Sequence, residues 1–258
     1  MTKPCNFIWY ELMTNDAKAA EAFYGKVVGW TMTGYAGGTD YTILKVGDAG
    51  VGGIMGLTAE MKANGARPGW VGYVGVDDCD AYAARLAAAG GKVHRPPSDI
   101  PDIGRFAVVA DPQGAVFILF TPAARPAPPS PPPADAVGTF GWRELMAGDM
   151  QSAFDFYADQ FGWTKVTDHD MGEHGAYRLF ATGGAEPVGG MMTKPAFVAA
   201  PPHWAYYIRV DGIKAAVERL TAGGGKVING PMEVPTGEWI VQATDPDGAY
   251  FCLLSRAA

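Results

Sequence analysis

The chain has 258 residues, 48% hydrophobic and 18% charged, with a net charge of −7. That composition describes a well-cored globular protein, excludes intrinsic disorder, and argues against nucleic acid or an anionic membrane as partner. No apolar run approaches the roughly 20 residues needed to cross a bilayer. The start, Met1-Thr2-Lys3-Pro4-Cys5, carries no secretion-signal core. Three cysteines, Cys5, Cys79 and Cys252, lack metal or redox spacing and read as small buried hydrophobes. An odd cysteine count without an export signal leads us to expect a cytoplasmic protein.

In chain order, Phe7, Trp9, Glu11 and Met13 share one face of a predicted strand by period two. Asn15 or Asp16 caps the helix that follows. Ala19, Ala20, Phe23, Tyr24 and Val27 form its apolar stripe, and Gly29 ends it. Strands are expected over 31–35, 41–46 and 52–57, with turns at Gly37-Gly38 and Gly47-Asp48. A strand over 70–76 leads to a helix over 81–89, capped by Asp77 or Asp78 and stopped by Gly90-Gly91. A short strand at Val93 runs into Pro96-Pro97. Strands over 105–110 and 115–120 then flank the turn Asp111-Pro112-Gln113-Gly114. The order βαβββ therefore occurs twice, over 7–57 and 70–121.

The whole arrangement then repeats. Residues 7–30 return without a gap at 140–163, and eleven of the 24 positions are identical, among them Trp9/Trp142, Glu11/Glu144, Met13/Met146, Asp16/Asp149, Tyr24/Tyr157 and Trp30/Trp163. Further on, Trp70/Trp204, Tyr73/Tyr207, Gly52-Gly53/Gly189-Gly190 and Asp111-Pro112/Asp245-Pro246 correspond. The chain is a duplication. Residues 122–133 hold no core residue and read as a polyproline II linker. The expected domains are 1–121 and 137–258, joined by a linker over 122–136. The copies differ most after the second strand. Copy one has a glycine-rich loop there, and copy two has Asp168-His169-Asp170-Met171-Gly172-Glu173-His174-Gly175.

Strand, Asp-capped helix, Ala-x-x-Phe-Tyr, Gly-Trp, then strand, Val-Asp, helix, Gly-Gly and a final Asp-Pro-x-Gly hairpin resemble the vicinal oxygen chelate superfamily. That group includes glyoxalase I, bleomycin-resistance proteins and extradiol dioxygenases. The resemblance covers nearly the whole chain. It implies an α+β, glyoxalase-like fold of four βαβββ modules in two tandem domains, with sheets curled around cavities. It also implies a small-molecule ligand. Metal-dependent members carry ligands at three strand positions, which here hold Trp9 and Trp142, Val71 and Ala205, and Ile118 and Cys252. None but Cys252 offers a donor, so we expect no metal and no other cofactor.

Other residues stand out beside those positions. Glu11 and Glu144 lie two residues further along the first strand of each copy, on the same face. A carboxylate between apolar neighbours is either a general base or ligand anchor, or a structural group paired with an arginine or backbone donors. His203 stands where copy one has Gly69, and with Glu144 it is the candidate acid–base pair or a displaced metal site. The charged loop around His169 and His174 is either a lid or a solvated surface segment. Trp9, Tyr73, Trp142, Tyr177, Tyr207 and Trp239 are the aromatic candidates for lining a ligand cavity. Gly52-Gly53 and Gly189-Gly190 precede no helix, so they mark bulges or close backbone approach rather than phosphate loops. The leading expectation is binding of a small organic molecule without metal by a monomer or homodimer, with copy two as the working half. The alternatives are a glyoxalase-type lyase or isomerase using a shifted site in copy two, and a resistance protein that sequesters its ligand.

Overall fold

Each of the four modules begins with a strand that an aspartate or glycine hands to a helix. In copy one the elements are β1 (Phe7–Thr14), α1 (Ala17–Val28), β2 (Thr31–Gly34), β3 (Tyr41–Val46) and β4 (Ala49–Gly56). They continue with a short α2 (Ala59–Ala63), β5 (Gly69–Gly75), α3 (Cys79–Ala88), β6 (Lys92–Ile100), β7 (Gly104–Ala110) and β8 (Val116–Pro122). Copy two has β9 (Phe140–Ala147), α4 (Met150–Phe161), β10 (Thr164–Asp170), β11 (Ala176–Ala181) and β12 (Gly189–Thr193). It closes with β13 (His203–Arg209), α5 (Ile213–Ala222), β14 (Lys226–Glu233), β15 (Trp239–Thr244) and β16 (Tyr250–Ser255). This computed structural model describes residues 5–35, 40–124 and 130–258. The predicted Gly37-Gly38 turn and residues 125–129 of the predicted linker lie outside the described residues.

The capping aspartates do what their spacing predicts. Asp16, Asp78 and Asp149 accept from the backbone N–H of Ala19, Ala81 and Ser152 at 2.9, 3.0 and 2.8 Å. Each satisfies one orphan donor of the first helical turn. Gly29 and Gly162 end α1 and α4 in the left-handed region, at φ 86° and 70°, where a side chain would be strained.

The strands form two open eight-stranded sheets, in the orders β2-β3-β4-β1-β5-β8-β7-β6 and β10-β11-β12-β9-β13-β16-β15-β14. Neither sheet closes on itself. Two expectations are corrected. The strand at Val93 does not stop at Pro96-Pro97 but runs on to Ile100, with register shifts at Val93/Arg95 and Arg95/Ser98. It is an edge strand, so the missing proline N–H breaks no ladder on its outer side. The charged segment after Trp163 is not chiefly a loop. Thr164–Asp170 pairs with β11, and only a short 3-10 turn at Gly172–His174 lies outside the ladder. Asp168 is tied to Arg178 and Lys165 at 2.8 and 2.7 Å. The arginine beside it holds its carboxyl well below the usual range.

The compact units of the fold are not the two sequence copies. One unit is Met1–Ile8, Val71–Pro126 and Trp142–Ala205, and the other is Trp9–Trp70, Ala127–Gly141 and Tyr206–Ala258. Each therefore takes about one module from each copy. Reciprocal bonds within each unit show why. In the second unit Tyr24 of α1 donates to Asp245 at 3.1 Å and accepts from the Trp70 indole at 3.0 Å. In the first, Tyr157 of α4 donates to Asp111 at 3.1 Å and accepts from the Trp204 indole at 2.9 Å. Trp30 likewise donates to the carbonyl of Gly138, and Trp163 to that of Cys5. The motif residues of the helix and of the Asp-Pro turn are thus each other's partners across the duplication. Tyr24 and Tyr157 are fully buried, so each Trp–Tyr–Asp chain satisfies polar groups that would otherwise be costly.

Candidate functional site: a Trp–Tyr–Glu triad built twice

In the second unit, β4 lies between β3 and β1. Glu11 is in register with Gly53, which pairs with Ile43. One step along, Met13 pairs with Met55, which pairs with Tyr41. Residues in register share a sheet face, so Tyr41, Met55, Met13, Gly53 and Glu11 lie on one side. Trp9 joins them by period two. The Trp9 indole donates to the Tyr41 hydroxyl at 2.8 Å. Tyr41 is in turn hydrogen-bonded to Glu11, and burial together with that carboxylate raises the phenol pKa well above its ordinary value. The phenol therefore stays neutral and is the donor toward Glu11.

The first unit builds the same arrangement. Glu144 pairs with Gly190 and Gly190 with Leu179, while Met146 pairs with Met192 and Met192 with Tyr177. The Trp142 indole donates to Tyr177 at 2.8 Å, and Tyr177 donates to Glu144 at 2.9 Å. Glu11 and Glu144 are 5% and 7% exposed, while the tryptophans and tyrosines around them are half-buried. The arrangement is a buried carboxylate aimed by a tyrosine that a tryptophan holds. It can accept a hydrogen bond or a proton from a ligand, with aromatic and thioether surface beside it.

The glycine pairs explain how the tyrosine reaches. A Cβ on Gly53 would overlap the Tyr41 ring, and one on Gly190 the Tyr177 ring. The ring crosses the middle strand where that strand has no side chain. Both Gly-Gly pairs thus mark close approach; the ladder is regular through Gly189-Gly190, while beside Gly52 the register shifts between Leu44 and Lys45, so a bulge adjoins the copy-one pair. Gly190→Ala is expected to push the Tyr177 ring off Glu144 and cost about 1–3 kcal/mol of stability through overpacking. Thermal melting and the near-ultraviolet signal of the ring would show it. An unchanged aromatic signal would mean that the glycine is not what seats the ring.

The other expected residues fall differently. Alternation along β13 puts His203, Ala205 and Tyr207 on one face. The His203 Nδ1 lies 2.8 Å from the Pro201 carbonyl. Tyr207 is buried and accepts from Gln242 at 3.2 Å. Tyr73 is buried beside Phe120, with ring centroids 5.8 Å apart. Trp239 alternates with Gln242 onto the opposite face of β15, with Val241 and Ala243. Its copy-one counterpart, Arg105, reaches Asp80 of α3. His169 of β10 and His174 of the 3-10 turn are exposed, and His174 meets the edge of Phe197. Sequence reasoning missed the methionine pairs Met13/Met55 and Met146/Met192. Their signal was present, since Met13 and Met146 alternate with the glutamates by period two, and Met55 and Met192 stand two residues after Gly53 and Gly190. A cleft of about 220 Å³ lies elsewhere, between Asp135, Arg209, Asp211 and Arg256; Arg256 pairs with Asp135 within it, while Arg209 and Asp211 pair with Glu238 and Arg219.

The superfamily's metal does not fit the residues present. Trp9 and Trp142 place an N–H donor, already committed to tyrosine, where a ligand atom would stand. Val71 and Ile118 have no donor, and Ala205 none either. Cys252 alone cannot make a hard-metal site. Among the described residues no group of three or more His, Cys, Asp or Glu side chains could hold a metal ion, and Glu144 and His203 are part of no such group. No disulfide joins the cysteines, and all three are buried. Burial pushes the Cys79 thiol up to about 11, which removes it as a nucleophile at neutral pH. Among the described residues no helix is long and apolar enough to cross a membrane.

Known proteins agree with this architecture. The family model described as Glyoxalase/Bleomycin resistance protein/Dioxygenase superfamily matches residues 6–119 and again 139–253. DnrV of Streptomyces peucetius, named as an anthracycline biosynthesis protein, is 30% identical over 95% of this chain and 91% of its own length. CFP32 of Mycobacterium tuberculosis, named as a glyoxylase, is 50% identical over 118 residues. That match spans 45% of this chain and only 44% of CFP32. The Mn(II)-bound glyoxalase of Novosphingobium aromaticivorans superposes over 100% of this chain and 84% of its own, with a TM-score of 0.68 at 18% identity. The 2,3-dioxygenase LapB of Pseudomonas sp. KL28 covers the same 100% and 94% of its own chain at 0.66 and 14%. These two likenesses concern the fold. Two matches of the family model, one to each copy, and a relative aligned almost end to end place the chain in the glyoxalase/bleomycin resistance protein/dioxygenase superfamily.

Proposed function

We propose that the chain binds a small, flat organic molecule bearing an acidic hydroxyl, and holds it through the triad glutamates rather than through a metal. The observation that carries this reading is the buried carboxylate fixed by a tyrosine, itself fixed by a tryptophan, and built in both units. A hydroxyl donating to such a carboxylate makes a charge-assisted bond in a site with little water. The half-buried indole and phenol groups, with Met13, Met55 and Met146 beside them, supply flat apolar contact. The resemblance to a protein named for anthracycline biosynthesis supports a polycyclic aromatic ligand. The test is titration of 2-hydroxyanthraquinone into protein freed of metal by a chelator. Saturable binding supports the reading, and no binding overturns it.

One observation favours a second reading, a lyase or isomerase of the glyoxalase type. A carbonyl oxygen only accepts, so the contact with Pro201 places the His203 proton on Nδ1. Nε2 is then the basic nitrogen, suited to taking a proton from a ligand carbon or oxygen. Recovery of the bound molecule separates the two readings. An unchanged ligand favours binding or sequestration, and an isomer or fragment favours the enzyme.

A further inference from the structure

The second unit carries a polar row that its counterpart lacks. Tyr207 on β13 is in register with Cys252 on β16, Cys252 with Gln242 on β15, and Gln242 with Asn229 on β14. The four side chains therefore share one sheet face. The next residues along three of these strands, Ile208, Leu253 and Val241, pair with one another and are fully buried on the other face. On the polar side, Asn229 donates to the Gln242 carbonyl at 3.3 Å, and Gln242 donates to the Tyr207 hydroxyl at 3.2 Å. The amide thus bridges over the buried Cys252 thiol.

In the matching row of copy one, Tyr73 pairs with Ile118, Ile118 with Val108, and Val108 with Arg95. The tyrosine is kept, but an apolar pair stands where copy two has Cys252 and Gln242. The apolar pair shows that the scaffold does not need an amide at this register. A half-buried amide carries a desolvation cost that valine does not. With Asn229 donating to the Gln242 oxygen, the Gln242 nitrogen faces Tyr207 and keeps a second hydrogen.

We propose that this row is a hydrogen-bonding shelf for a carbonyl oxygen of a small organic ligand, with the remaining N–H of Gln242 as donor and Asn229 as the residue that positions it. The ligand class is a ketone or quinone on a flat ring system. The assignment rests on the small-molecule reading above, but on a different set of residues from the triads.

The test uses the full chain and two probes of similar shape, 2-hydroxyanthraquinone and 2-hydroxyanthracene; the second lacks the carbonyls and has a less acidic hydroxyl, so the change between wild type and variant for each probe is what reads the shelf. Wild-type protein is expected to prefer the quinone. Gln242→Val, which installs the residue copy one already holds at this register, should weaken quinone binding about tenfold, the equivalent of one hydrogen bond. It should leave 2-hydroxyanthracene binding unchanged. Asn229→Ala should move the quinone alone in the same direction by a smaller factor. If the variants leave the quinone preference where it was, or weaken both probes equally, the shelf is refuted while small-molecule binding stands. If wild-type protein binds neither probe, both proposals fall together.

Discussion

Tyr157→Phe is expected to destabilise the protein by about 1–3 kcal/mol, the range for leaving buried polar groups without a partner, and Tyr24→Phe by a similar amount. The lost hydroxyl is the centre of a chain. Tyr157 accepts from Trp204 and donates to Asp111, and the corresponding bonds join Trp70, Tyr24 and Asp245. Removing it strands an indole N–H and weakens the solvation of a buried carboxyl without changing the ring packing. Chemical denaturation would read the effect. A loss below about 0.5 kcal/mol for both variants would show that these chains do not hold the two copies' modules together.

The same carboxyls give a pH signature. Burial raises the pKa of Asp111 and Asp245 above the ordinary 3.8. A carboxyl raised in the folded state contributes stability that is fully present below its unfolded pKa and lost as pH rises through the folded one. Asp111→Asn cannot ionise and lacks this loss, yet its oxygen can still accept from the N–H groups of Gln113 and Ala115, as Asp111 does. Between about pH 4 and 7, the variant should gain stability relative to wild type. A difference that is flat or falls with pH would contradict the cause assigned to the shift.

The largest effect on binding is expected from the double variant Glu11→Gln and Glu144→Gln. Gln keeps the shape and an acceptor oxygen but loses the charge. Hydrogen bonds to charged groups contribute about 1.5–3 kcal/mol, so affinity for 2-hydroxyanthraquinone should fall about tenfold to a hundredfold at each site. The triads are built alike in both units, so each single variant should weaken binding at one site and leave the other. The triads give no reason for one working copy. What distinguishes copy two is His203 and the Gln242 row.

Much of the fold was legible in the chain because the duplication repeats every cue. The Asp16 and Asp149 caps, the Gly29 and Gly162 stops and the βαβββ order all rest on local chemistry that the sequence displays directly. The continuation of β6 through two prolines was not legible, because proline is excluded only from inner strands and edge position is a property of the whole sheet. The exchange of modules between copies was hidden for a similar reason. Tyr24 is 221 residues from Asp245, and no local pattern names a partner at that distance. At the site, the glutamates stood out as charges in apolar strands. Their partner tyrosines and the glycines beneath were visible as separate features, and only the register of three strands joins them. Trp239 reads in the sequence as one more cavity aromatic, and only its alternation with Gln242 along β15 puts it on the other face.

In the proposed mode of binding the triad carboxylates, and not a metal, hold the ligand. The direct test is one calorimetric series with 2-hydroxyanthraquinone, run on untreated protein, on chelator-treated protein and on the Glu11→Gln/Glu144→Gln double variant, with melting curves to confirm folding. The same affinity is expected before and after chelation, with binding about tenfold to a hundredfold weaker in a folded double variant. Binding that disappears on chelation, returns with added Mn(II) and is unweakened in the double variant would contradict this.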